Sequence, residues 1–153
     1  MAQAGRRPGN RRRSRPQGHP SDPRRAVRAV VDASFAFVML ATPERAAPLF
    51  AGATDILAPD LIVAELLNAR WKIVRSGAAA PALENVLGFF DRIRLVASIA
   101  YAAEAATFAQ LLDHSVYDCL YAVVAKRERA KLMTADRRFA RKLEAEAIEV
   151  VTL

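Results

Sequence analysis

Four acidic residues of this 153-residue chain stand where an uncompensated carboxylate is costly. Asp32 ends the β-branched run Val30-Val31 and directly precedes an apolar helical stretch, and Asp136 repeats that arrangement after Leu132-Met133-Thr134. Glu65 interrupts an apolar stripe, since helical spacing sets it beside Ile62, Leu66 and Ala69, whereas Arg70 and Lys72 are expected on the opposite, solvated face. Asp118 lies three residues after Ser115, in the first turn of a further helix.

Each acid has a plain structural use beside a chemical one. Asp32 and Asp136 are placed to cap helices, and capping and metal ligation look alike in a sequence. Ser115 with Asp118 has the form of a capping box, in which the helix dipole favours the ionised carboxylate. Glu65 either reaches water at the edge of its stripe or stays partly buried with a partner, and Asn68 one turn on is placed to orient it. Ser34 and Thr134 are small hydroxyl residues beside the first and fourth acids. His114 is read as incidental, and Arg137 and Arg138 either meet a phosphate or decorate their helix.

Together the four carboxylates imply more than they do singly. Strand ends and first helical turns of one small α/β domain face the same crevice, so the charges must share it. Like charges that close together need a divalent ion to neutralise them, and an oxygen-only donor set suits Mg²⁺ or Mn²⁺. No cysteine or histidine cluster suggests zinc.

The elements that must position these residues alternate. Strands are expected at 28–32, 55–58, 94–97, 131–134 and 148–152. Helices are expected at 33–40, 44–51, 60–76, 82–92, 101–112, 115–129 and 136–145, with Gly52 and Gly77 as stops and Pro43 as a start. Such alternation predicts a parallel sheet of four to five strands flanked by helices in three layers, because parallel neighbours require crossover connections. The first helix, with Phe35, Ala36, Phe37, Val38, Met39 and Leu40, is apolar on every side, more than its short neighbour can cover.

The charge is distributed unevenly. Residues 1–25 hold eight arginines and one acid, which accounts for the whole net charge of +7 and leaves fifteen bases and fifteen acids for 26–153. That segment also has four of the eight prolines and few large apolar side chains, so a disordered basic tail at 1–25 and one folded domain at 26–153 are expected. The tail is read as a solvated extension, as a non-specific RNA tether, or as sequence upstream of a start near Val27 or Val30. The lone Cys119, in an apolar helical pattern, predicts a buried inert thiol and a cytoplasmic protein. The longest apolar stretch, 95–112, is too interrupted to span a membrane.

Over 30–153 the chain resembles the PIN-domain family, and within it the VapC-like toxins of bacterial toxin-antitoxin systems. The resemblance rests on Val30-Val31-Asp32-Ala33-Ser34, on Glu65 with Asn68, on Ser115-Val116-Tyr117-Asp118-Cys119-Leu120-Tyr121, and on Thr134-Ala135-Asp136-Arg137-Arg138-Phe139, in that order. It implies a PIN-like fold, Mg²⁺-dependent RNA cleavage, a homodimer, and inhibition by an antitoxin that also binds operator DNA. Arg138 stands where some members carry a further acid, which implies one firm metal site. The alternative is a catalytically silent interaction module whose arginine tail binds RNA. A phosphotransfer enzyme is disfavoured because Asp32-Ala33-Ser34 lacks a second acid at i+2, and no glycine-rich phosphate loop exists.

A chain beginning at Ala26 should keep its cooperative unfolding transition while losing non-specific RNA affinity and part of its salt dependence. Thermal melts and RNA titrations at two salt concentrations check this, and loss of the transition would make the tail structural.

Overall fold

A computed structural model of the protein describes residues 27–153. The arginine-rich segment and its expected disorder lie outside these residues.

Five parallel strands form one sheet: β1 (Val27–Val31), β2 (Ala53–Pro59), β3 (Arg94–Val96), β4 (Lys131–Thr134) and β5 (Val150–Thr152), in the order β3-β2-β1-β4-β5. Val30 pairs with Leu57 on one side and Leu132 on the other, so β1 is central and buried from Ala29 to Val31. The chain moves outward from β1 to β3 and then returns to β1's other side. That reversal puts the carboxyl ends of β1 and β4 next to each other, the place where doubly wound sheets open a crevice.

Seven α-helices flank the sheet: α1 (Ala33–Ala41), α2 (Pro43–Ala46), α3 (Leu61–Arg75), α4 (Leu83–Phe90), α5 (Ala102–Leu112), α6 (Val116–Glu128) and α7 (Arg137–Lys142). Helix α6 is buried without interruption from Cys119 to Ala125, because it packs on β1, β2 and β4 and carries α5 against it. None of the described helices is long and apolar enough to cross a membrane.

The expected elements are present with altered bounds. The helix expected at 44–51 breaks after Ala46 into a 3₁₀ turn at Ala47–Phe50, where Pro48 supplies no N–H for an α-helical ladder. A second 3₁₀ turn, Ser98–Ala100, was not legible in the apolar sequence around it. The last helix ends at Lys142 and the last strand begins at Val150, both shorter than expected. Gly52 and Gly77 stop their elements with φ of +88° and +78°, a region open to glycine at little cost. Helix α1 is not bare: Phe35 and Ala36 are fully buried, and Phe35 meets Phe50 edge-on at 5.3 Å.

At the opposite end of the sheet from the crevice, four charged side chains knit the strands to α6. Arg28 lies 3.3 Å from both Asp55 and Glu128, and Arg94 lies 3.1 and 3.4 Å from the same two acids. These groups are partly exposed, so each pair contributes little alone, and the network chiefly fixes alignment.

Leu57→Ala should destabilise the domain by about 2–5 kcal/mol, since the side chain is fully buried in a central strand. Urea unfolding checks it, and a cost under about 1 kcal/mol would mean the sheet core is looser than described.

Candidate functional site

At the junction of β1 and β4 the backbone turns outward on both strands, and hydroxyls hold the turns together. Asp32 N–H still donates to Met133 O at 3.0 Å, as if β1 continued one residue further. The Asp32 Oδ1 atom then accepts from Phe35 N and Ser34 Oγ, both at 2.7 Å, which starts α1. Across the junction Ser34 Oγ accepts from Ala135 N at 2.9 Å and lies 3.5 Å from Thr134 Oγ1, which in turn accepts from Asp136 N at 2.9 Å. Asp136 Oδ1 caps α7 by accepting from Arg138 N and Phe139 N at 2.8 and 2.9 Å. Capping therefore uses Oδ1 of each acid, and a carboxylate retains Oδ2 for other work.

The two remaining acids come from α3 and α6. Glu65 accepts a hydrogen bond from the phenol of Tyr121, which is buried in α6. Asp118 Oδ2 lies 3.0 Å from His114 Nε2, and the imidazole stacks on Phe139 with ring centroids 4.4 Å apart. Asp32, Ser34, Glu65, Asn68, Asp118, Tyr121 and Asp136 all line one open cleft of about 470 Å³, with Lys72 at its edge.

The carboxylates feel their confinement. Burial raises the pKa of Asp32, with the Asp118 charge adding to it and the Thr134, Phe35 and Ser34 donors opposing. Burial also raises Glu65, offset by the Tyr121 hydrogen bond and reinforced by Asp118 and Asp32. Asp118 is raised by burial and by Asp136, and lowered by His114. The Tyr121 phenol is pushed far upward by burial and by Glu65, so it remains a donor.

Residues 29–144 match the family model described as PIN domain. The chain belongs to the PIN domain family. It is 35% identical over 130 residues to Ribonuclease VapC3 of Pyrobaculum aerophilum, covering 78% of this chain and 97% of that one. Two solved structures share the fold: PAE2754 from Pyrobaculum aerophilum (TM-score 0.65, 24% identity, 82% of this chain and 92% of that one), and a toxin-antitoxin complex from Klebsiella pneumoniae (0.62, 13%, 81% and 96%). A third is VapBC2 from Rickettsia felis bound to a DNA fragment from its promoter (0.58, 16%, 83% and 99%).

The PIN-domain cleft suits a hard cation by the chemistry of its donors: carboxylate oxygens with raised proton affinity and a shared negative field. Among the described residues no three acidic or imidazole side chains already form a ligating cage. Mg²⁺ keeps several waters and needs only one or two direct carboxylates, so an oxygen-only donor set does not require such a cage to hold it. Asp32, Asp118, Asp136 and Glu65 are the residues able to hold it, directly or through water.

Several sequence expectations need correction. Ser115 caps α6, accepting from Tyr117 N at 3.2 Å, and does not line the cleft. Asp118 faces His114 instead of completing the capping box, with Oδ2 3.0 Å from Nε2, and His114 itself does not line the cleft. Glu65 is oriented by Tyr121 rather than Asn68, which lines the cleft without a hydrogen bond to it. Arg137 turns to the Leu153 carbonyl at 2.9 and 3.2 Å, away from any role in the cleft, and Arg138 is exposed outside it. Lys72 is exposed, as expected, but stands on the same side of α3 as Glu65 rather than opposite it and lines the cleft, because seven residues are nearly two full turns. The heptad spacing from Glu65 to Lys72 and the buried Tyr121 one turn after Asp118 were the available signals. Cys119 is buried, with its thiol pushed up to about 11 by burial, as expected of an inert side chain.

With chelator present, stability should rise as pH falls from the raised folded-state pKa values of Asp32, Glu65 and Asp118 towards their unfolded values, because the native state binds more protons in that window. Asp32→Asn should stabilise the chelated protein at neutral pH, since the amide retains the Oδ1 cap and removes a charge. Melts across pH check both, and a wild type that only loses stability on acidification contradicts the crowding of charge.

Proposed function

We propose that this PIN domain is a Mg²⁺-dependent endoribonuclease acting as the toxin of a toxin-antitoxin pair, with Mn²⁺ as an alternative ion. The observation that carries it is the convergence of Asp32, Glu65, Asp118 and Asp136, from four separate elements, on one open cleft. The 35% identity to a named ribonuclease supports RNA as the substrate class.

The chain's own residues supply rigidity and charge. Asp32 and Asp136 are each held at Oδ1 by a helix cap, and the Ser34 and Thr134 hydroxyls stand between the two turns. Tyr121 holds Glu65 by a hydrogen bond, and the His114 imidazole, stacked on Phe139, lies beside Asp118. A bound divalent ion would lower the pKa of a water and stabilise the leaving oxygen of a phosphodiester. A cleft this open admits a strand from the side, which suits cleavage within a chain.

The likeness to a toxin-antitoxin complex and to a VapBC pair bound to promoter DNA supports a cognate antitoxin as partner, with operator DNA contacted through it; a homodimeric toxin is part of the same proposal and rests on the family resemblance alone. We place the antitoxin in the apolar groove of about 540 Å³ beside α1, lined by Met39, Leu40, Phe50 and Phe89 and edged by Glu84 and Arg92. In the complex, hydrogen exchange should slow at α1 and α4, and an antitoxin that leaves both untouched would move the docking site elsewhere.

Asp32→Asn and Asp136→Asn should each abolish Mg²⁺-dependent cleavage of an RNA pool and most of the Mg²⁺-induced rise in melting temperature, by mass action on the folded state. Cleavage that survives in both variants overturns the metal mechanism. A wild type that cuts no RNA and ignores Mg²⁺ leaves the silent interaction module as the better reading.

A further inference from the structure

One face of α3 continues the cleft outward as a strip of cations and an exposed aromatic ring. Helical geometry places Asn68, Lys72, Arg75 and Trp71 in neighbouring positions, beginning next to Glu65. Asn68 and Lys72 line the cleft itself. Trp71 is 52% exposed, unusual for the largest apolar side chain, and the Arg75 guanidinium lies over its ring at 5.2 Å from the centroid. Lys72 forms no ion pair among the described residues, whereas the nearby Arg70 is turned away to the Pro81 carbonyl at 2.9 Å. Within the acid-lined cleft, Lys72 is thus the cationic group able to attract a polyanion.

We propose that this face of α3 is the track for single-stranded RNA beside the scissile bond, with Lys72 on a phosphate and Trp71 stacked against a base. The proposal rests on the ribonuclease reading of the cleft and assigns the binding residues that the acids cannot supply. Carboxylates repel a phosphate backbone, so a strand needs positive charge close by to settle over them. Lys72 provides that at the cleft edge, and Arg75 extends it one turn further. An indole with a guanidinium over it offers a base a flat, sequence-tolerant surface, as in single-strand binding sites generally. Glu65 and Trp71 are six residues apart, about 9 Å along the helix axis, or roughly two to three stacked nucleotides. The contact would therefore fall on nucleotides flanking the cut rather than on the cut itself.

Trp71 is the sole tryptophan of the chain, so its fluorescence reports this strip alone. The test titrates the full-length protein in Mg²⁺ with a short single-stranded oligoribonucleotide carrying phosphorothioate linkages to slow cleavage. Fluorescence of the wild type should be quenched on binding. The Trp71 variants lack that fluorophore, so all affinities are compared by the anisotropy of an end-labelled copy of the same oligonucleotide: Trp71→Ala should weaken binding about tenfold, Trp71→Phe should restore most of it, and Lys72→Gln should lower the salt-dependence slope by about one phosphate. In cleavage of ordinary RNA, both weakening variants should raise KM more than they lower kcat. If the wild type cleaves RNA but neither variant changes affinity, slope or KM, the track is wrong while the nuclease reading stands. If the wild type neither binds nor cleaves, both fall. If Trp71→Ala instead reduces the oligomeric mass in solution with RNA affinity unchanged, the strip is a contact between copies of this chain and the proposal is overturned.

Discussion

Val31 and Met133 are neighbours in a parallel ladder although about a hundred residues of chain lie between them. Most of the molecule exists to close that loop. The chain must leave β1, build β2 and β3 on one side, and return through α5 and α6 before β4 can pair. When it does, two strand ends arrive side by side, and each turns at once into a helix capped by an aspartate. The placement of the acids is therefore a consequence of topology, and the local hydroxyl bridge between Ser34 and Thr134 only refines it.

What gathers at that junction works against folding. Burial and mutual repulsion both raise the proton affinity of Asp32, and the same holds for Glu65 and Asp118 against their own neighbours. The domain tolerates this because the surrounding core is continuous, from the fully buried Val30 and Leu57 to the enclosed middle of α6. Hydrogen bonds moderate the repulsion without removing it. Functional sites commonly hold such unfavourable charge, and its relief on binding is what couples a ligand to the fold.

Much of this could be read from residue order. The period of apolar positions located the strands and helices, and an acid at the end of a β-branched run located Asp32 and Asp136. What stayed hidden was relational. The exchange of Asn68 for Tyr121 as the partner of Glu65 depends on α3 meeting α6, and a single sequence carries no record of that meeting. A loop histidine such as His114 belongs to no periodic pattern, and its stacking on Phe139 arises only once α7 is in place. The hydrogen bond from Arg137 to the Leu153 carbonyl is equally hidden, because it forms only where the start of α7 meets the chain just past β5. The side of α3 that Lys72 shares with Glu65 was legible, since seven residues bring a helix almost back to its starting angle.

The ion-pair network of Arg28, Arg94, Asp55 and Glu128 lies at the other end of the sheet from the like-charged cleft. Dissolved salt screens attraction and repulsion alike. Rising ionic strength would therefore weaken the attraction at one pole of the molecule and ease the repulsion at the other. The two ends of β1 thus answer dissolved salt in opposite senses.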